Sequence, residues 1–284
     1  MKDRYVSCDF IGQLGNQLFM IAATLSYAWD HQAIAVFPGL HDPNYRLSYN
    51  RDRLFFRLNT SLPPTPFVKE FCHTYWYPVH RIPYCEENLF LKGYYQSWRH
   101  FHHHRDQLLA TFAPHSDTLD YLSKKYADLL AHPFSVAIHV RTYCLRDHKV
   151  LPFLGIDYVR DSMKQFPQHA KFVVFSDRIN WCKHHFAQLE GDFVFIEGND
   201  GVQDFALMSM MKHNIIANST FSWWAAYLNQ HEDKKVVAPA LVYRAGPTEH
   251  FYCPEWIQIP VSLQPYPTDM CFYDKESQSC DNND

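Results

Sequence analysis

The sequence predicts an α/β fold built around mainly parallel β-sheet. Short apolar runs, typical of buried strands, alternate with helical segments throughout the second half of the chain. The clearest strand covers residues 135–140, and further strands are expected at 172–175, 193–196, 214–217 and 236–239, the last of them being the final strand of the chain. The chain also opens with a strand, a glycine-marked turn and a helix, an order that often begins a nucleotide-binding layer.

The opening strand is expected at residues 5–10, where apolar and polar side chains alternate. The turn at 12–15 follows, and Asn16 is well placed to cap the next helix. Residues 38–83 have weak periodicity and are expected to form loops with short elements. Beyond them the pattern predicts, in order, a strand at 89–95 and helices at 108–112 and 116–130.

The composition excludes several classes of protein. With 284 residues, 47% of them hydrophobic, the chain can build one large core or two ordinary ones. A net charge of -4 provides no basic surface for nucleic acid, which is not an expected partner. The apolar stretch 18–29 is shorter than the ~20 residues of a membrane span. We therefore expect a soluble, cytoplasmic protein, the alternative being a luminal domain of a secretory-pathway enzyme.

The eight cysteines form no C-x-x-C pair, so neither a zinc ribbon nor a redox motif is indicated. Buried free thiols are favoured, and pairing of Cys271 with Cys280 stays open. The runs 102–104 and 182–185 contain candidate metal ligands. Their spacing suggests no third or fourth ligand, and we expect no metal.

The strongest local feature covers residues 215–228, where a buried strand leads into hydroxyl residues and then an apolar helix. The first N–H groups of a helix have no intrahelical partner, so Ser219, Thr220 and the residues after them are a candidate anion site. A simple helix cap without a ligand is the alternative. The Trp223–Trp224 pair is expected to pack in the core.

Polar residues follow two other strands. His139 and Arg141 lie where the 135–140 strand ends, and an Arg at the carboxyl end of a parallel strand is well positioned to hold a phosphate. Asp177 ends the next strand, and it or Asp204 can accept hydrogen bonds from guanine or ribose. A surface salt bridge for the Arg and helix caps for the carboxylates are the alternatives. Together these groups favour a nucleoside diphosphate ligand, and the lack of G-x-G-x-x-G and Walker sequences disfavours dinucleotides and P-loop chemistry.

Five segments resemble, in order, the motifs of glycosyltransferase family 11, which contains the α-1,2-fucosyltransferases. The resemblance extends over residues 5–245. The segments are Gly12-Gln13-Leu14-Gly15-Asn16-Gln17-Leu18-Phe19, Leu91-Lys92-Gly93-Tyr94-Tyr95-Gln96-Ser97, His139-Val140-Arg141, Val174-Phe175-Ser176-Asp177, and Asp204 through the run from Asn218 to Ala226.

The resemblance implies a GT-B-like enzyme with two Rossmann-like halves and a nucleotide-sugar site in the cleft between them. Residues 1–130 would form the acceptor-side domain, residues 131–262 the GDP-fucose-binding domain, and residues 263–284 a partly disordered tail. The implied reaction is inverting transfer of L-fucose from GDP-fucose to a hydroxyl of a galactose-terminated glycan, in α-1,2 linkage and without a metal cofactor. Another GDP-fucose transferase linkage, or a non-catalytic nucleotide- or glycan-binding relative, is the alternative.

The resemblance also implies roles for individual residues. Arg141 and Asn16 are the expected catalytic residues, Arg141 by holding the β-phosphate. The expected donor-binding residues are Gly15, Asn16, His139, Arg141, Asp177, Asp204, Ser219, Thr220, Phe221 and Ser222.

One motif departs from the family pattern. Related fucosyltransferases carry H-x-R-R-x-D, whereas this chain has Thr142 in place of the second Arg and Cys144 in place of the Asp. The nearby Arg146 and Asp147 are candidates to substitute for them. This departure is the observation that favours the non-catalytic alternative, and the motifs do not identify a general base.

Overall fold

The chain forms two α/β units, each built on a parallel sheet. The structure is a computed structural model that describes residues 3–73, 81–143, 149–246, 248–267 and 269. Unit 1 comprises Met1–Asp117 and Glu249–Cys253, and unit 2 comprises Thr118–Thr248 and Pro254–Asp284. The domain boundaries expected at residues 130 and 262 stay a prediction, since compactness does not test which segment folds alone.

Unit 1 has a four-stranded parallel sheet in the order β2-β1-β4-β3. Its most apolar helix, α1, is buried along most of its length because it is hydrophobic on nearly all sides. The elements are β1 (Tyr5–Cys8), α1 (Leu14–His31), β2 (Ile34–Ala35), α2 (Leu47–Arg53), β3 (Lys69–Cys72), β4 (Leu89–Lys92) and α3 (Arg105–Thr111), with 3-10 turns at Pro38–His41, Asn44–Arg46, Trp98–His100 and His102–His104.

Helix α4 (Ser116–Lys125) begins at the boundary of the two units, and unit 2 then has a six-stranded parallel sheet in the order β10-β9-β8-β5-β6-β7. Its further elements are α5 (Ala127–Ala131), β5 (Ser135–Val140), α6 (Gly155–Met163), β6 (Lys171–Ser176), α7 (Ile179–Phe186), β7 (Asp192–Phe195), α8 (Gly201–Met210), β8 (His213–Ile215), α9 (Thr220–Leu228), β9 (Val236–Pro239) and β10 (Ile257–Ile259).

Strand β5 is central to this sheet and every one of its residues is buried. A parallel strand covered by helices on both faces is apolar without alternation, which is why the 135–140 run was so clear in the sequence. The predicted bounds of β5 and β9 are confirmed. The expectation that β9 is the last strand is wrong, because β10 pairs with it at the sheet edge; at three residues, β10 is too short to show a period.

The core of unit 2 surrounds Ile138, Val174, Ile215 and Val237, whose side chains lie on adjacent strands. Trp223 and Trp224 are fully buried in α9, as expected for core residues. The cysteines that the structure describes are free thiols, and Cys271 and Cys280 lie outside the described residues. In the described ranges, no helix combines the length and apolar character needed to cross a membrane.

Replacing Ile138 by Ala tests this core. The side chain is fully buried, so truncation should lower the free energy of unfolding of unit 2 by about 2–5 kcal/mol through lost burial and a residual cavity. Urea denaturation followed by tryptophan fluorescence measures the change. Leu263→Ala, at a side chain that is 49% exposed, is the control and should stay within about 0.5 kcal/mol of wild type. Equal effects of the two substitutions would contradict this description of the core.

Candidate functional site

The strand order of unit 2 reverses next to β5. The chain passes from β5 outward to β6 and β7, then returns to the other side of β5 with β8 and continues outward to β9 and β10. Ligands of open parallel sheets bind outside the carboxyl ends of the strands at such a reversal, because the connecting helices diverge there and leave a crevice. The segments that follow β5 and β8 are therefore the expected binding segments of unit 2.

A hydrogen bond joins these two segments. The hydroxyl of Tyr143, just after β5, donates to the backbone carbonyl of Asn218, between β8 and α9, at 2.6 Å. The Asn218 amide in turn donates to the carbonyls of Pro152 and Val242, at 2.9 and 3.0 Å. Tyr143 has a left-handed backbone (φ 58), a costly conformation for an aromatic residue. Neither Tyr143 nor Asn218 was among the predicted site residues, although both lie within or beside the motifs.

Arg141 is positioned by Asp177. Its guanidinium lies 2.9 Å from one carboxylate oxygen of Asp177, and the other oxygen accepts the backbone N–H of Thr142 at 3.1 Å. Strands β5 and β6 bring the two residues together, since Val140 is opposite Ser176 in the register. Arg141 thus forms a salt bridge, as the alternative interpretation expected. Its side chain is nevertheless 40% exposed at the carboxyl edge of the sheet, where it can contact a ligand. Asp177, expected to contact ribose or guanine, orients the arginine in this structure.

His139 is buried beneath this edge and its ring lies 5.5 Å from that of Phe221, at the start of α9. Burial lowers the pKa of His139 to about 4, which outweighs the attraction of the Asp177 charge. The imidazole is therefore neutral at physiological pH. Its Nδ1 atom has no hydrogen-bond partner among the described residues, an arrangement that is unfavourable for a buried polar atom unless a ligand satisfies it.

Helix α9 begins without a side-chain cap. Ser219 occupies the N-cap position with extended backbone, but its hydroxyl makes no capping hydrogen bond to the first helical N–H groups. The simple-cap alternative is therefore wrong, and the helix dipole is left available to an anion. Ser222, in contrast, is fully buried and its hydroxyl donates to the carbonyl of Ser219 at 3.3 Å, so it stabilises the first turn from inside. Ser219, Thr220 and Phe221 are half-buried.

Asp204 lies in the first turn of α8. The cap of that helix is Asp200, which forms a capping box with Gln203, so the helix-cap alternative for Asp204 is wrong. Burial raises the pKa of Asp204 to about 6, opposed by a 3.1 Å hydrogen bond from the Asn199 amide. The side-chain oxygen Oδ1 of Asn199 accepts hydrogen bonds from the Lys125 ammonium and the Tyr126 hydroxyl, at 2.9 and 3.0 Å. Asn199 holds this network together and was not predicted.

Aromatic rings connect the start of α8 with the end of β5. Phe205 packs edge-on against Phe221 with centroids 5.6 Å apart, and Phe221 in turn packs on His139. The ring of Phe221 thus contacts both His139 and Phe205. Arg141 and Asp177 belong to the adjacent strand ends, β5 and β6.

The motif around Asn16 forms a separate structure in unit 1. Gly12 has φ +79, and a Cβ there would lie 2.4 Å from the Asn16 side-chain amide, so a larger residue would strain the backbone and displace Asn16. The buried amide of Gln17 donates to the carbonyls of Gly12 and Tyr45, both at 2.9 Å, and accepts from Asn50 at 2.7 Å. Gln17 and Asn50 were not predicted.

The expectation that Asn16 caps α1 is wrong. The helix begins at Leu14, Gln13 is the N-cap, and the Asn16 N–H donates to the Gln13 carbonyl at 2.9 Å. Asn16 is therefore inside the first turn with Gly15, and its side-chain oxygen accepts the amide of Gln96 at 2.9 Å. The tight turn at Gly12 starts the helix earlier than the polar run in the sequence suggested.

Of the residues that depart from the family pattern, the structure describes Thr142. Thr142 is fully buried, and its hydroxyl has no hydrogen-bond partner among the described residues. Only its backbone N–H contributes to the site, through Asp177. Cys144, Arg146 and Asp147 lie outside the described residues.

A family model described as "Glycosyl transferase family 11" matches residues 71–260, about two thirds of the sequence. The chain belongs to glycosyl transferase family 11. This confirms the resemblance found in the motifs, and the matched region contains all of the site residues of unit 2 described above.

Curated relatives carry α-1,2 transferase names. The chain is 34% identical to "Alpha-1,2-colitosyltransferase" of Escherichia coli over 179 residues, which are 59% of this chain and 61% of the relative. It is 27% identical to "Galactoside alpha-(1,2)-fucosyltransferase 1" of Leontopithecus chrysomelas, over 89% of this chain and 74% of the relative. The chain spans only 54–61% of the length of the first three relatives it matches.

The fold is shared with a solved glycosyltransferase. The fucosyltransferase NodZ from Bradyrhizobium superposes with a TM-score of 0.57 at 14% identity, covering 79% of this chain and 92% of NodZ. Together with the two parallel sheets, this likeness confirms the predicted α/β, GT-B-like fold class with two Rossmann-like units.

Asp204→Asn tests the electrostatics of α8. The folded pKa of Asp204 is raised, so the folded state loses stability as pH rises from about 4 to about 6 and the carboxyl ionises in its buried place. The uncharged amide avoids that cost. The free energy of unfolding of the variant should therefore rise relative to wild type across this window and exceed it by about 3 kcal/mol at neutral pH, as measured by thermal or urea unfolding at several pH values.

The exposed Asp157 on α6 provides the control. Asp157→Asn, at a side chain that is 61% exposed, should stay within about 0.5 kcal/mol of wild type at neutral pH. An Asp204→Asn variant that is less stable than wild type at neutral pH would show that the charged carboxylate is favoured where it lies.

Proposed function

We propose that this protein is an inverting glycosyltransferase that moves L-fucose from GDP-fucose to a hydroxyl of a galactose-terminated glycan, forming an α-1,2 linkage. Membership of glycosyl transferase family 11 supports a transferase. The names of relatives, galactoside α-(1,2)-fucosyltransferases of several mammals and an α-1,2-colitosyltransferase, support the linkage. NodZ structures co-crystallised with GDP and soaked with GDP-fucose support the donor.

The observation that carries the proposal is the pairing of Arg141 with Asp177 at the strand-order reversal. It fixes a cation at the carboxyl edge of the sheet, next to the segment that leads into the uncapped α9 helix. A fixed guanidinium and a helix N-terminus are complementary to a diphosphate. In this assignment Ser219, Thr220 and Phe221 contact the diphosphate through the start of the helix, while Ser222 supports it from within.

The same groups suit the chemistry. As fucose leaves, negative charge grows on the diphosphate, and preoriented positive groups stabilise that charge most in the transition state. Arg141 and the dipole of α9 provide such groups from the chain itself, and we propose that transfer needs no metal. The neutral His139 contributes no competing charge and offers its unpaired Nδ1 to the nucleotide.

Other predicted residues complete the proposal. Asp204, with Asn199, is assigned to the nucleoside, because a carboxyl with a pKa near neutrality can either accept or donate a hydrogen bond. Gly15 and Asn16 are assigned to donor contact, with Asn16 as a catalytic residue. The bond from Gln96 sets the orientation of the Asn16 side chain.

A second candidate function is binding of a nucleotide or glycan without transfer. Thr142 favours it, because a buried threonine stands where related enzymes carry a second arginine. Purified protein incubated with GDP-fucose and a panel of galactosides distinguishes the two. A fucoside and free GDP support the transferase, whereas GDP binding without any product supports the binding protein. A donor panel with other GDP-deoxysugars tests the specificity suggested by the colitosyltransferase relative.

Arg141→Ala should lower kcat by about 10²–10³-fold, the usual cost of removing a preoriented group that stabilises transition-state charge. Product formation from GDP-fucose measures it, with circular dichroism to confirm folding. Arg160→Ala, at an exposed ion pair on α6, is the matched control and should keep full activity. Undiminished turnover in Arg141→Ala would disprove the role of the guanidinium.

A chelator should leave turnover unchanged, since the positive groups of the site belong to the chain. The rate is measured with and without EDTA, at a temperature well below unfolding. Abolition by EDTA and recovery with Mn²⁺ or Mg²⁺ would contradict metal-independent transfer.

A further inference from the structure

Three potential metal ligands from distant parts of the sequence meet at the surface of unit 1. Asp30 lies in the last turn of α1, and His103 and His104 lie in the 3-10 turn His102–His104. One donor atom from each of the three residues lies within 4.8 Å of the others. The spacing of the histidine run offered no third ligand, and the fold provides one from a residue 73 positions away.

The donor geometry is close to that of a bound ion. The Nε2 atoms of His103 and His104 lie 3.1 and 2.8 Å from the same carboxylate oxygen of Asp30. Tetrahedral zinc with ligand bonds of ~2.1 Å places neighbouring donor atoms about 3.4 Å apart. Small side-chain adjustments would therefore convert a carboxylate shared by two imidazoles into a three-ligand metal site.

The surroundings hold the ligands while leaving space for the ion. The His104 ring packs edge-on against Trp29, with centroids 5.1 Å apart, and is 16% exposed. The His103 ring is 51% exposed and also lies 3.3 Å from the Ser26 hydroxyl. One side of the cluster is thus fixed by packing and the other is open, so water can complete the coordination shell.

We propose that Asp30, His103 and His104 form a binding site for a divalent transition-metal ion, with Zn²⁺ as the best match. Two imidazole nitrogens and one carboxylate oxygen are a ligand set that zinc accepts, whereas Ca²⁺ and Mg²⁺ bind almost entirely through oxygen. Cu²⁺, Ni²⁺ and Co²⁺ share the preference for imidazole and serve as probes.

The bound ion has a structural role in this proposal. The chain from Gln96 to His104 is already tied to both ends of α1, by Gln96 to Asn16 near the start and by the histidines to Asp30 at the end. A metal at the second tie fixes the end of α1 against this segment. The site lies about 20 Å from Asn16 along the helix, at 1.5 Å per residue, so it is distinct from the residues assigned to transfer.

Calorimetric titration of the untagged, chelator-treated full chain with ZnCl₂ tests the proposal, with the d–d absorption of Co²⁺ reporting the coordination. We expect saturable binding of one ion and a rise in Tm in the presence of Zn²⁺. Asp30→Asn and His104→Gln should each weaken binding at least about tenfold, since even indirect partners of metal ligands contribute that much. Circular dichroism verifies that the variants fold.

His102→Gln, in the same turn, and His184→Gln, on α7, are the matched controls and should bind Zn²⁺ as wild type does. Absence of saturable binding to the wild-type chain would overturn the proposal. So would binding that persists unchanged in Asp30→Asn, His103→Gln and His104→Gln, because the ion would then occupy other groups of a chain with 18 histidines. Neither result depends on the transfer reaction.

Discussion

The Tyr143–Asn218 hydrogen bond spans the position where the sheet of unit 2 reverses its strand order, and the site depends on it. All strands of a parallel sheet end at one edge, but only at a reversal do the connections on the two sides leave space for a ligand. The bond links the segment after β5 to the segment before α9. Through it, the Arg141 edge and the start of α9 keep a defined separation, and the left-handed backbone of Tyr143 is the cost of that connection.

The electrostatics of the edge follow from burial. His139 is kept neutral because it lies beneath the surface of the sheet, whereas Arg141, two residues later, reaches solvent and is paired with Asp177. Strand β5 ends at Val140, between the two residues, so His139 stays within the buried strand while Arg141 lies beyond its carboxyl end. The guanidinium of Arg141 is thus held by a carboxylate at the edge, and the neighbouring imidazole of His139 is uncharged. Such an arrangement favours an anionic ligand at Arg141.

Helix α1 performs a comparable task in unit 1. Its first turn carries Gly15 and Asn16 and is fixed by the buried Gln17 amide, while its last turn carries Asp30. Because the helix is almost entirely buried, movement at either end is resisted by the packing of its whole length. The Gln96-to-His104 segment connects the two ends a second time. The helix is thus both a core element and the support on which the two polar clusters of the unit are built.

The sequence by itself determined the fold class, the position of the main strands and the residues that gather at the carboxyl edge. A continuous apolar run such as 135–140 indicates a strand that is buried on both faces, and the polar residues that follow it indicate the carboxyl edge of the sheet. The sequence did not predict β10, because a strand of three residues shows no period. It also did not predict where α1 begins, because the turn before it depends on the positive φ of Gly12, which composition does not reveal.

Only the tertiary structure decided which polar groups are partners. The structure shows that Asp177 orients Arg141 and that the Ser222 side chain is buried. It also shows that Asn199 donates a hydrogen bond to Asp204, and that Asp30 contacts two residues of the histidine run. Each of these pairs depends on strand register or on the packing of segments far apart in the chain, and hydrogen bonds act only over about 3 Å. A sequence records which groups are available for such contacts, and the fold alone sets the distances between them.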